Sequence, residues 1–262
     1  MTIEALIFDL DGTMADTEEA HGVAFNLAFE RHRLGWKWTR DGYRNLLSVH
    51  GGKERLAVFI DAMHIDAAQR ERLHRLIPAI HAEKTKFYSS LARDGAIALR
   101  AGVAPLIDEA LAAGARLGVA SSTTEANVEA LLCATLGERA FDKFSAVACG
   151  DAVSAKKPAP DIYRLVLRQL GVKAERAAAI EDTVNGVLAA RSAGLWTVAT
   201  PTDWSSGGDF SAANLVLPGL GDPTHPLPGE PGGQLGLAPW LSFRELSERA
   251  ASSSVDAHRH PA

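Results

Sequence analysis

Residues 3–9 hold an unbroken apolar run, Ala5, Leu6, Ile7 and Phe8, that stops at Asp9. A short apolar run closed by polar residues predicts a strand buried on both faces of a parallel sheet. From residue 16 to about residue 93 the spacing changes. Ala20, Val23, Ala24, Leu27 and Ala28 recur at helical intervals and predict one amphipathic helix, and Leu56, Phe59, Ile60 and Met63 predict another. Beyond this block, strand and helix patterns alternate. RLGVASS (116–122), FSAVACG (144–150), RAAAIED (176–182), LWTVATP (195–201) and NLVLPG (214–219) read as strands, with helices over 104–114, 124–136, 160–170 and 183–193 between them. Such alternation predicts right-handed crossovers, and so a mostly parallel sheet covered by helices on both faces.

The expected fold is α/β: a Rossmann-like, doubly wound parallel sheet core with a small all-helical cap domain inserted after its first strand. Residues 1–15 supply that strand and the loop after it, 16–93 the cap, and 94–262 the rest of the core. The Pro/Gly-rich segment 218–239 reads as an irregular surface loop. A short amphipathic helix from Trp240 to Ala250 is expected to pack back on the core. Residues 251–262 are expected to be a disordered tail, with His258 and His260 in solvent.

Apolar residues make up 47% of the 262 and charged residues 23%, enough for a full core in a soluble chain. The net charge of −5 argues against a nucleic-acid binder, which would carry a basic face. It leaves anionic small molecules open, because a few local cations can dominate a cleft. Two cysteines, Cys133 and Cys149, give neither a disulfide framework nor a metal cluster. With no leader or membrane span in the pattern, a cytoplasmic monomer is expected, with no membrane partner.

In a parallel α/β sheet, functional groups gather just beyond the carboxyl ends of the strands. Asp9 and Asp11 follow the first strand, Ser121 and Ser122 close RLGVA, and Glu181 and Asp182 close RAAAI; Lys156 and Lys157 lie in the loop beyond Gly150. Alone, each has an ordinary explanation as a helix cap or a solvated charge. Together they bring several acids, a hydroxyl and a lysine to one edge of one sheet. Carboxylates that close repel unless a cation sits among them. Oxygen donors without nearby His or Cys favour Mg²⁺ over Zn²⁺. A hard cation, a lysine and a hydroxyl together suit a phosphoryl group.

DLDGT at 9–13, Ser121, KP at 157–158 and ED at 181–182 resemble, in order, the four motifs of the haloacid dehalogenase-like hydrolase superfamily. The helical block resembles that superfamily's small helical cap. The resemblance implies that Asp9 is a nucleophile forming an aspartyl-phosphate, and that Asp11 protonates the leaving alkoxide and then deprotonates water. Residues i and i+2 of an extended chain project to one side, so both carboxylates can flank one phosphorus. Gly12 and Thr13 would let the backbone turn tightly against the phosphate. Mg²⁺ would be held by Asp9, Asp182 and the backbone carbonyl of Asp11, with Glu181 direct or through water. Ser121 would bond the phosphoryl oxygens, with Ser122 beside it. Lys157, the lysine immediately before the proline, would offset charge.

Specificity would come from the cap, which closes the site to water. His21 on the first cap helix, HGGKER at 50–55 with Gly51, Gly52, Lys53 and Arg55, and Lys84 in HAEKTKFY are the candidates for substrate contact; Lys86 reads as solvated. These cations suit a second anionic group, as in a sugar bisphosphate. LIFDLDGTMADTEEAH, GGKER and the insert ending PWLSFREL resemble the CbbY-type enzymes, which resemble β-phosphoglucomutase in fold. That resemblance implies a phosphatase of xylulose 1,5-bisphosphate, an inhibitor of Rubisco, and so a place beside the Calvin cycle. A β-phosphoglucomutase-like mutase and a phosphoglycolate phosphatase are the enzyme alternatives. A phospho-Asp receiver domain is disfavoured, because receivers are shorter and lack a cap, and the intact acidic set argues against a silent binding protein.

Overall fold

The computed structural model describes residues 2–228 and 239–257. Six strands form one sheet in the order β3-β2-β1-β4-β5-β6, every neighbouring pair parallel. They are β1 (Ala5–Phe8), β2 (Arg116–Ala120), β3 (Phe144–Ala148), β4 (Ala177–Glu181), β5 (Trp196–Ala199) and β6 (Leu215–Val216). All four residues of β1 are fully buried, as an unbroken apolar run requires at the centre of a two-sided sheet.

Leu6 and Phe8 face one core, shared with α5 (Val103–Ala112), α6 (Glu125–Leu136) and the final helix α9 (Phe243–Ala257). Ala5 and Ile7 face the other, shared with α7 (Asp161–Leu170) and α8 (Val184–Ser192). The doubly wound arrangement expected from the alternating pattern is therefore present. β1 lies between β2 and β4, with Phe8 opposite Val119 on one side and Ile180 on the other. That register puts Asp9, Ser121 and Asp182 at neighbouring strand ends, one residue past the ladder or close to it.

Between β1 and α5 the chain forms α1 (Glu18–Arg31), α2 (Arg40–Leu46), α3 (Gly52–Asp61) and α4 (Ala67–Arg93). These helices share their own apolar cluster, centred on Phe25, Phe29, Trp38, Tyr43, Leu56 and Ile60. The buried stripe of α1 is His21, Ala24, Phe25, Ala28 and Phe29, one step round from the expected one, and Val23 is exposed. Aromatic side chains bury more area than alanines, so Phe25 and Phe29 set which face turns inward.

Two further expectations are corrected. The C-terminal helix runs Phe243–Ala257, so the tail expected to be disordered from residue 251 is helical as far as Ala257. Adding a turn to a formed helix is far easier than starting one. Residues 258–262, with His258 and His260, lie outside the described residues. Segment 218–239 is irregular where described, but it is not purely surface: Leu220 and Leu227 are buried in the sheet core. Residues 229–238 lie outside the described residues. Among the described residues, no helix is long and apolar enough to cross a membrane.

Candidate active site

The strand ends open into a cleft of about 440 Å³ between the sheet and the α1–α4 helices. Asp9, Asp11, Ser121, Ser122 and Asp182 line it from the sheet side, and His21, Gly51, Gly52, Arg55 and Lys84 from the helical side. Lys157, Glu181, Gly12 and Thr13 are buried behind its floor.

Lys157 Nζ donates to Asp9 Oδ1 at 2.6 Å and to Glu181 Oε1 at 2.6 Å. Tyr163 OH, from α7, also donates to Glu181 Oε1 at 2.5 Å. Carboxylate oxygens of Asp9, Glu181 and Asp182 lie within 4.8 Å of one another. Burial pushes the Asp9 carboxyl up to about 8, with Lys157 pulling it down and the Glu181 charge pushing it up. Burial raises Asp182 well above the usual carboxylate range, and the charges of Asp9 and Glu181 raise it further. Lys157 is held above its ordinary range: the two carboxylates outweigh the burial that would lower it. One lysine does not neutralise three buried carboxylates.

This cluster fits a hard divalent cation. Every donor in it is a carboxylate oxygen, and two of its members are driven towards protonation, the strain that a bound cation relieves. The backbone leaves room in the same place. Gly12 has φ +81°, and a Cβ there would stand 2.3 Å from Asp182 Oδ2. Thr13 Oγ1 donates to Asp182 Oδ1 at 3.2 Å and Ser205 Oγ to Oδ2 at 3.4 Å, so the 9–13 loop and the β5 side both orient that carboxylate.

The Asp11 carboxylate stands apart from the cluster. It accepts from Thr17 Oγ1 at 2.7 Å and pairs with His21 Nε2 at 2.9 Å. His21 Nδ1 lies 2.7 Å from Lys84 Nζ, and its ring stacks on Tyr88 at 4.1 Å. Burial raises the Asp11 carboxyl, but His21, Thr17 and Lys84 together outweigh it and bring it down to about 2. Lys84 is itself pushed down to about 8 by burial. His21 and Lys84 thus form a buried chain leading to Asp11.

Residues 3–194 match the model of a hydrolase family, the haloacid dehalogenase-like hydrolases. The chain belongs to this family. It is 47% identical over 226 residues to protein CbbY of Cupriavidus necator, covering 86% of this chain and 89% of that one. The crystal structure of CbbY from Rhodobacter sphaeroides in complex with phosphate superposes with a TM-score of 0.78 at 46% identity, covering 83% of this chain and 94% of that one. A mutant of the same protein in complex with xylulose-(1,5)bisphosphate superposes with a TM-score of 0.77 at 45% identity and the same coverage.

Within this haloacid dehalogenase-like hydrolase, one cap expectation needs correction. Lys53 does not line the cleft: its ammonium pairs with Asp151 Oδ2 at 2.9 Å in a shallower crevice alongside. Arg55 lines the cleft as expected, and its guanidinium also donates to Leu46 O, Val49 O and Tyr43 OH. Tyr43 OH in turn donates to Glu18 Oε2 at 3.0 Å, so Arg55 braces the cleft wall. Lys86 pairs with Glu83 at the surface, as a solvated lysine would. Sequence reasoning missed Glu18, Arg44, His50, His81 and Trp204, all of which line the cleft. His50 and His81 are each pushed down to about 3, chiefly by burial, so they offer neutral imidazoles. The histidines that open HGGKER and HAEKTKFY and the glutamate after DLDGTMADT were the available signals; nothing in the chain marked Trp204.

Proposed function

We propose that the protein is a magnesium-dependent sugar-phosphate phosphatase, and that its preferred substrate is xylulose 1,5-bisphosphate. The observation that carries the reading is the Asp9–Lys157–Glu181–Asp182 cluster at the floor of a cleft roofed by cationic and neutral nitrogen donors. The likeness to CbbY proteins supports the choice of sugar.

Asp9 attacks phosphorus, the sugar oxygen leaves, and the phosphoryl group stays on Asp9 as a mixed anhydride. Asp11 gives its proton to the leaving alkoxide, then takes one from the water that attacks the anhydride. With Asp11 held at about 2, the free site presents it as a base. The charge of an arriving phosphoryl group favours its protonated form, which the first step needs. Ser121, buried at the end of β2, orients a phosphoryl oxygen, and Lys157 holds Asp9 in place while offsetting charge. Asp9, Asp182 and the Asp11 backbone carbonyl would hold Mg²⁺; Glu181, already engaged by Lys157 and Tyr163, suits contact through water. The cation supplies positive charge for the transferring oxygens. Residues 16–93 act as the cap, and their helices exclude water from the anhydride.

The test is phosphate release with Mg²⁺ across xylulose 1,5-bisphosphate, ribulose 1,5-bisphosphate, phosphoglycolate and β-glucose 1-phosphate. Xylulose 1,5-bisphosphate is expected to have the highest kcat/KM. A different best substrate sinks the choice of sugar. Conversion of β-glucose 1-phosphate to the 6-phosphate without free phosphate marks a mutase instead.

A further inference from the structure

The chain crosses between core and helical block twice, and the two crossings are bonded to each other and to the catalytic loop. Ala15 bridges Asp11 on one side and Leu99 on the other. Gly12 N donates to Ala15 O at 2.8 Å, and Arg100 N donates to Met14 O at 2.9 Å. The side chain of Arg100, only 14% exposed, then reaches under the loop. Its Nη1 donates to Gly12 O at 2.5 Å, to Thr200 O at 2.8 Å and to Thr200 Oγ1 at 3.2 Å. Thr200 immediately follows β5, and its own N–H donates to Glu181 O at 2.7 Å. One guanidinium therefore joins the return crossing, the turn carrying Asp9 and Asp11, and the strand end beside Glu181 and Asp182. Asp16, at 3.9 Å, is the carboxylate nearest to it.

We propose that Arg100 is a positioning residue for phosphoryl transfer, fixing the 9–13 loop to the β5 end so that Asp9 and Asp11 keep their places as the helical block moves. This rests on the phosphatase reading for its kinetic consequence, but its structural claim stands without it. Both carbonyls are held by the one nitrogen Nη1, whose two N–H bonds lie fixed in the guanidinium plane; a lysine ammonium's donors rotate about its flexible stem and keep no such direction. Gly12 turns the loop with φ +81°, and Arg100 Nη1 donates to the carbonyl at that turn. Arg100 also lines an open crevice that adjoins the cleft at Trp204, so a small cation can reach the space that its side chain fills.

The experiment uses Arg100→Ala and Arg100→Lys in the full chain. Three readouts are taken: kinetics on the best substrate of the panel, hydrogen exchange of segment 10–15, and rescue by added guanidinium ion with urea as control. In Arg100→Ala, kcat is expected to fall at least 30-fold while KM changes less than threefold. Exchange in segment 10–15 is expected to quicken while the sheet strands stay protected. Millimolar guanidinium restores part of kcat and urea does not, and Arg100→Lys stays close to the alanine variant. Unchanged exchange in segment 10–15 overturns the proposal whether or not the wild-type enzyme turns over any sugar phosphate. Faster exchange throughout the chain, or a loss carried by KM without rescue, overturns it too, because it assigns Arg100 a general structural role. A wild-type enzyme inactive on every substrate of the panel overturns the phosphatase reading alone, and the exchange result then decides the positioning claim.

Discussion

At the scale of single residues, Lys84 shows how burial turns a surface-type side chain into a tuned one. Its ammonium is almost wholly buried, against His21 Nδ1 and over the rings of Phe25 and Tyr88. Burial lowers it from 10.5 to about 8; Asp11 pulls the other way and Arg55 adds to the fall. Between pH 8 and about 10.5 the unfolded chain keeps this proton while the folded protein sheds it, so stability rises with pH across that window. The full effect is at most about 3 kcal/mol. Urea unfolding at pH 8 and pH 10 is expected to show wild type gaining on Lys84→Met. A gain of zero or of the opposite sign would contradict the burial account. The sequence already separated Lys84, a candidate for substrate contact, from the solvated Lys86 of the same HAEKTKFY segment; helical spacing turns Lys84 inward and leaves Lys86 outside.

At the scale of elements, α2 meets the loop after β5 at the cleft, where Arg44 and Trp204 are both lining residues. Arg40 and Arg44 lie over the Trp204 ring at 4.5 and 5.1 Å, and Arg44 Nη1 donates to Asp203 O at 3.0 Å. On the other side, α3 meets the core through Lys53 and Asp151. Exposed ion pairs contribute about 0–1 kcal/mol, and exposed cation–π contacts about 0.5–1 kcal/mol each. Contacts this weak suit a closure that must open again. Trp204→Ala removes both cation–π contacts and is expected to raise KM for the sugar phosphate by about fivefold or more, with kcat and Tm little changed. An unaltered KM would remove Trp204 from closure. Trp204 could not be picked out from the chain, because its partners Arg40 and Arg44 come from one helix some 160 residues earlier and only the folded loop brings them together.

At the scale of the whole molecule, the carboxylates come from separate parts of the chain: Asp9 and Asp11 from the N-terminal loop, Glu181 and Asp182 from the end of β4. Their proximity is tolerable because Lys157 and, on our reading, Mg²⁺ share the charge. EDTA treatment is expected to abolish phosphate release, and added Mg²⁺ to restore it. Full activity of metal-stripped protein would take the cation out of the chemistry.

Periodicity alone determined the α/β class, the helical block between residues 16 and 93 and the burial of β1, because these follow from local spacing and from how an apolar run must be covered. The motif residues were legible for a related reason: a carboxylate at a strand end is placed by the strand itself. The partners of the cleft-wall side chains were decided only by tertiary structure. Lys53 and Arg55 share one helix and one charge, yet one pairs outward with Asp151 and the other braces Tyr43. Arg100 lies 88 residues from Gly12 and is joined to it only by the crossing of two chain segments. A side chain's partner depends on distance in space, and local pattern carries no information about which distant segment will arrive beside it.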